Sequence, residues 1–256
     1  MIPALPLQQH PTFGAALKRL GADTRQIDIG GTYPVQVIRR YGISFATRIR
    51  AHDSQLLRHS PLRIVNAETP DKTYRQAGFR KIMTPAHVAE LDLTAPLQPH
   101  PKWRHSWRKS TVKIRHDIFH PAQHQWLLDA NRAQQRAKRY RTLPHAIIHA
   151  YAAISPTDVV VLTATQSNTP VAAMLFMLHA PVATYQIGWT GDAGRKAHAH
   201  HALLMQAADH FARQGLTRLD LGTVDTENTP GLARFKIGSG AIVRPLGGTW
   251  LRLPFG

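Results

Sequence analysis

The chain contains no cysteine. A disulfide framework, a thiolate metal site and a cysteine nucleophile are therefore excluded. Acidic residues are scarce, 15 Asp and Glu against 32 Lys and Arg. No uninterrupted apolar run approaches the roughly 20 residues that a membrane-crossing helix needs. The opening residues, MIPALPLQQHPTF, have neither a basic start nor a sustained apolar stretch. No secretory signal is expected there, and the expected location is cytoplasmic. Neither a Walker phosphate loop nor a G-x-S-x-G nucleophile elbow occurs.

What is present can fold. With 256 residues and 43% hydrophobic content, the chain can bury one large core or two modest ones. Its net charge of +17, with 16 histidines besides, favours polyanionic partners: nucleic acid, anionic lipid or phosphorylated substrates. Arginine far outnumbers lysine and alanine is abundant, so part of that charge also has a compositional explanation.

The first 96 residues alternate between strand and helix patterns. A helix is predicted after Pro11, with Phe13, Ala16, Leu17 and Leu20 on one face. Strands are predicted at 26–29 and 33–39 about a Gly30-Gly31 turn, then at 43–49, 62–65 and 88–93, with a helix starting at 55–58. Leu97 to Pro101 reads as a linker, which divides the chain into domains 1–96 and 97–256. Beyond it KWRHSWRKSTVKIRH is the densest basic stretch, and on a helix Trp103 and Trp107 share a face. They could stack on bases, or pack that helix onto the second domain. Helices at 121–139, with Trp126, Leu127, Ala130 and Ala133 inward, and at 145–154 precede strands at 159–164, 171–179 and 183–190. A helix over 201–214, stopped by Gly215, a strand at 219–221 and a short helix from Pro230 complete the pattern.

The stretch LDLGTVDTENTPGLARFKIGSG, residues 219–240, carries the functional signal. A strand that stops at a polar loop and restarts as a short helix puts backbone N–H groups and one cation, Lys236, at a strand's carboxyl end. A purely structural loop with a glycine-terminated helix has the same spacing. The run Asp220-Leu221-Gly222, Pro230-Gly231-Leu232 and Phe235-Lys236-Ile237-Gly238-Ser239-Gly240 resembles the signature of the Fem family. These are peptidoglycan bridge-forming aminoacyltransferases within the GNAT acyltransferase superfamily. Ser239 departs from it, since many members have an aromatic residue there.

The resemblance implies an α/β (α+β) fold of two GNAT-like domains, each a mixed, mainly antiparallel sheet flanked by helices. It implies an acyltransferase that moves an aminoacyl or acyl group from aminoacyl-tRNA or acyl-CoA to an amine by direct attack. No permanently bound cofactor and no metal are then required. The acceptor would be a cell-wall precursor or a small metabolite, and tRNA a partner. Lys236 and Phe235 match the family's Phe-Lys pair, and Tyr185 the tyrosine that points into the cleft; these are the expected catalytic residues. Arg136 and Tyr140 resemble the family's helix-borne acceptor contacts, and Asp225 is a further substrate-binding candidate. In CoA-using members a loop of pattern R/Q-x-x-G-x-G/A holds the pyrophosphate. Gly191, Gly194, Arg195 and Lys196 supply its glycines and cations here, but not its pattern, which favours aminoacyl-tRNA.

Asp220 and Asp225, at the strand end, are possible bases. Other readings remain for these residues: a core tyrosine for Tyr185, a solvated face for Arg136 and a fold-fixing acceptor for Asp220. The triplet of His198, His200 and His201 lacks further ligands at zinc spacing and reads as helix-start histidines. Two other functions stay open: an acyl-CoA-dependent N-acetyltransferase of a small amine, and a catalytically inactive GNAT fold that binds nucleic acid.

Overall fold

The computed structural model describes residues 4–253. In order the elements are α1 (Pro11–Arg19), β1 (Asp23–Ile27), β2 (Val35–Arg40), β3 (Ile43–Ile49), α2 (Ser54–His59), β4 (Leu62–Ala67), α3 (Thr73–Gln76), β5 (Arg80–Met83) and β6 (His87–Asp92). There follow α4 (Pro101–Lys109), β7 (Lys113–Ile118), α5 (Pro121–Lys138), α6 (His145–Ile154), β8 (Val159–Gln166), β9 (Thr169–His179) and β10 (Val182–Thr190). The last are α7 (Asp192–Lys196), α8 (Ala199–Arg213), β11 (Arg218–Val224), α9 (Pro230–Gly238), β12 (Ile242–Pro245) and β13 (Gly248–Leu251). Two compact units result, one holding residues 5–88 with 244–253, the other holding residue 4 with 89–243.

The first unit is built on a six-stranded mixed sheet, β1-β2-β3-β4-β13-β5. Its pairs are antiparallel except β3 with β4, which α2 connects. A cut at 96/97 does not describe this unit, because its fifth strand in space is the last in sequence. The reason lies in β13 itself. Trp250 is 4% exposed and stacks on Tyr74 with ring centroids 5.6 Å apart. Arg252, just after the strand, donates to the carbonyls of Leu57 and Leu62, 3.0 and 2.9 Å away, and to those of Arg58 and Ser60. One guanidinium thus satisfies carbonyls at the end of α2 that the helix cannot. Glu68, fully buried, accepts from Arg48 and Arg244. Between β1 and β2 the connection runs over 28–34, longer than a two-residue Gly30-Gly31 turn.

The second unit carries a seven-stranded sheet, β12-β6-β11-β10-β9-β8-β7. The strands from β7 to β10 pair antiparallel, and β10 with β11 parallel. β9, next to the central β10, is buried from Val171 to His179, as its apolar run predicts. Leu203, Leu204, Ala207 and Phe211 of α8 cover one part of that core. Gly215 stops α8 with φ +82°.

Three local readings are corrected. The sequence pattern predicts no strand in the basic run after Trp107, whereas α4 ends at Lys109 and β7 pairs with β8 at the sheet edge. Lys113 and Arg115 point outward from it, alternating with Ile114 and His116. Charged side chains on an edge strand obscure its period and guard it against further pairing. On α5 the buried stripe is His124, Leu127, Leu128 and Asn131, while Ala133 is exposed. Polar side chains occupy two inward positions, where Asn131 Oδ1 accepts from Gln135 Nε2 at 2.6 Å, and a purely apolar search misphases the helix. The segment before Pro101 is pinned, not loose. His100 N donates to Gly238 O at 2.9 Å, and a Cβ on Gly240 would come within 2.7 Å of Gln98 O. Among the described residues no helix is long and apolar enough to cross a membrane.

Trp250→Ala should destabilise the first unit by about 3–5 kcal/mol, the cost of emptying a large buried aromatic site. Urea unfolding followed by fluorescence measures it. A loss below about 1 kcal/mol would show that β13 is not part of this core.

Candidate active site

The second sheet opens along one seam. β10 and β11 pair only over Val182–Thr184 and Arg218–Asp220. Past Thr184, β10 continues to Thr190 along β9, with a bulge between Tyr185 and Ile187. β11 continues separately to Val224. Strands that stop pairing leave backbone groups to be satisfied by other means. Here side chains do it, and of the expected residues Lys236, Phe235, Tyr185 and Tyr140 lie beside them.

Lys236 is the first. It lies on α9 at 5% exposure, and its Nζ donates to Thr223 O on the free end of β11 at 2.7 Å. Burial pushes its pKa down to about 8, and the nearby Asp220 carboxylate opposes that shift. Gly222 is favoured by its backbone conformation, φ +76°, and not by crowding: a Cβ there would make only ordinary contact with Nζ, at 3.9 Å. Asp220, itself buried, accepts from Gly222 N at 2.7 Å, a fold-fixing bond beside the ammonium.

The motif around Lys236 is largely a packing device. Trp103 Nε1 donates to Phe235 O at 2.9 Å. A Cβ on Gly238 would come within 2.8 Å of Trp103 Cδ1. Ser239, fully buried, donates from Oγ to Lys236 O at 2.6 Å. Trp103 therefore packs α4 against α9. Phe235 lies among Trp103, His200 and His201, with ring centroids 5.9, 5.9 and 5.4 Å away.

Tyr185, on the bulged part of β10, packs on Phe176 at 5.7 Å. Its hydroxyl lies over Gly188, where a Cβ would come within 1.6 Å. Burial raises its pKa, so the phenol stays protonated. Gln134 on α5 connects this region to Tyr140: its Nε2 donates to Tyr140 Oη at 2.8 Å and to Gly188 O at 3.3 Å. Sequence reasoning gave Gln134 no role in the site and read His200 only as a helix-start histidine. The imidazole Nε2 of His200 bonds Trp189 O at 2.9 Å, and burial drives its pKa down to about 4, so the ring is neutral.

Arg136 and Asp225 lie differently. Arg136 is exposed on α5. Asp225 holds its own loop. Oδ1 accepts from the N–H groups of Glu227 and Asn228 at 3.0 and 2.8 Å, and those bonds hold its pKa below the usual carboxylate value. In the glycine loop, a Cβ on Gly194 would come within 2.2 Å of Val171 O, so close packing requires that glycine. Arg195 Nη1 donates to Thr190 O at 2.9 Å, and its other end pairs with Asp192. Lys196 is exposed. Among the described residues no three His, Asp or Glu side chains gather in a metal-binding group.

Comparison with known proteins agrees with this architecture. A family model for an acetyltransferase (GNAT) domain matches residues 102–236, just over half of the chain. The chain therefore belongs to the GNAT acetyltransferase family. Among solved structures it is similar to FemX, with a TM-score of 0.73 at 9% identity over 96% of this chain and 91% of that one. L-PGS from Bacillus licheniformis superposes with a TM-score of 0.59 at 13% identity, over 99% and 94%. A conserved protein of unknown function from Bacteroides thetaiotaomicron gives 0.60 at 11%, over 95% and 89%. At such identities the likeness is one of fold: two mixed sheets flanked by helices, as in a two-domain GNAT-like protein. No curated protein matches the sequence. Family and fold together support acyl transfer as the general activity.

Lys236 also sets a stability prediction. Its folded pKa of about 8 is below the ordinary 10.5, so burying the charge disfavours folding fully below pH 8. That cost disappears as pH rises from about 8 to 10.5, a gain of roughly 3 kcal/mol to the native state. Lys236→Met should abolish this pH-dependent gain, leaving the variant relatively less stable at pH 10 than at pH 7. Unfolding free energies of both proteins at the two pH values measure it. Equal differences at both pH values would show that the ammonium is not desolvated.

Proposed function

We propose that this protein transfers an aminoacyl or acyl group from an activated donor to an amine by direct attack, at the seam where β10 and β11 part. One observation carries the reading: a buried ammonium, Lys236, held against Thr223 O at the carboxyl end of β11. The acceptor's nitrogen lone pair attacks the donor carbonyl carbon. The carbonyl oxygen gains negative charge, and Lys236 offsets it from a site that water does not screen. The bond from that carbon to the leaving oxygen or sulfur then breaks, and the proton lost by the amine passes to the leaving atom. Tyr140, whose oxygen accepts from Gln134, keeps its own hydroxyl proton available for that transfer. Tyr185, held protonated, shapes the acyl side of the seam. Phe235 holds Lys236 in register through its packing on Trp103 and His200.

For the donor we favour an aminoacyl ester of tRNA. Four backbone amides in and just after the loop that would cradle a CoA pyrophosphate are engaged within the chain. Gly191 N donates to Val171 O, Arg195 N to Gly191 O, Ala197 N to Ala193 O and His198 N to Arg195 O. Arg195 itself is held by Thr190 and Asp192. Lys196 and Arg136, both exposed, remain for contact with the donor's phosphates or the acceptor, and Asp225 supports them by fixing the loop after β11. The family's acetyltransferase description favours the other donor, an acyl-CoA thioester. Native mass spectrometry of the purified protein, looking for retained tRNA or a CoA species, separates the two.

Lys236→Ala should lower kcat with the productive donor by about 10²- to 10³-fold while changing KM little, as loss of an oxyanion contact does. The wild-type rate should fall as pH rises through about 8, when the ammonium deprotonates. Unchanged turnover in the variant would overturn the role of Lys236. Retained CoA with no response to tRNA would move the donor to the thioester class.

A further inference from the structure

We infer that the tip of the β2–β3 hairpin, in the first unit, docks the protein onto an anionic lipid bilayer. Tyr41 and Gly42 are the two central residues of this turn, at φ +51° and +78°, the signs of a type I′ turn. Asn-Gly is the sequence that such a turn favours, and a tyrosine at positive φ is costly there. Folding therefore gives no reason for Tyr41. Its side chain does not repay the strain by packing, since the residue is 88% exposed.

The surroundings indicate what Tyr41 meets. Arg40 places its guanidinium 4.9 Å above the Tyr41 ring and donates to the hydroxyl at 3.3 Å. Ile43, paired with Arg40, is 47% exposed. The register sets Asp23 opposite Arg39, so the end of α1 reaches the same end of the sheet. It brings exposed Lys18, Arg19 and Leu20 there, with Leu20 also 47% exposed. The acidic residue in this group, Asp23, is paired with Arg25. Four uncompensated cations thus surround one aromatic and two aliphatic side chains.

Cations alone would suit RNA equally well. Exposed Leu20 and Ile43 gain nothing against a phosphodiester backbone, whereas at a bilayer they enter the acyl boundary while tyrosine and arginine sit at headgroup level. Each basic residue near an anionic surface multiplies the partition roughly fivefold.

The inference is independent of the acyl-transfer reading, and its test needs no activity. The full-length protein is sedimented with vesicles of phosphatidylcholine, with or without about a third phosphatidylglycerol. Binding should require the anionic lipid and weaken with salt. Arg39→Gln with Arg40→Gln should weaken it at least tenfold. Tyr41→Asn should weaken it severalfold while leaving Tm unchanged or higher, because it restores the preferred turn residue. An undiminished partition of both variants would overturn the inference. So would a gel shift in which these substitutions impair binding of single-stranded RNA while vesicles fail to retain the wild type.

Discussion

Two parallel strands that pair for three residues and then separate impose the constraint on which the second unit's candidate site depends. Backbone groups beyond Thr184 and Asp220 can no longer serve each other. Four of them are served by side chains instead: Thr223 O by Lys236, Trp189 O by His200, Gly188 O by Gln134 and Gly222 N by Asp220. A β-sheet held open in this way is pre-organised, because its donors are already aimed and desolvated before a ligand arrives. The same four side chains come from α9, α8, α5 and β11. Separate elements are thereby fixed around one seam.

This view separates the parts of the Phe-Lys-Ile-Gly-Ser-Gly motif. Gly238 admits Trp103, Gly240 admits the backbone at Gln98, and Ser239 ties back to Lys236 O. These positions hold α9 in place. Ser239, where the Fem signature carries an aromatic residue, is fully buried here with its hydroxyl satisfied by Lys236 O.

Much of the second unit was legible in the sequence because its signals are local. The apolar run of β9, the helix stop at Gly215 and the proline opening α9 each follow from residue type at one place. Lys236 was legible for the same reason, as a cation at a strand–loop–helix junction. Gln134 and His200 were not, since their roles depend on which carbonyls the separated strand leaves unpaired. Nor was β13, whose placement beside β4 is decided by the fit of Trp250 on Tyr74 and of Arg252 on the end of α2, some 190 residues away in sequence. Arg136 and Asp225 show the converse. Their residue types suited a binding site, yet one faces solvent and the other spends its carboxylate on its own loop.

Folding alone would not select a lysine at 236. A buried ammonium with its pKa lowered to about 8 costs stability, and an apolar side chain of similar length would avoid that cost at the price of one unpaired carbonyl. Nor is the charge needed to fix α9, which Trp103 and the two glycines already hold. Asp220 is close enough to favour the charged form yet does not restore an ordinary pKa. The ammonium is thus kept charged near neutrality but incompletely compensated, and such a group is stabilised by any negative charge that develops beside it. An incompletely compensated cation at the open end of a seam is the feature on which the proposed acyl chemistry rests, and a neutral residue there would remove it.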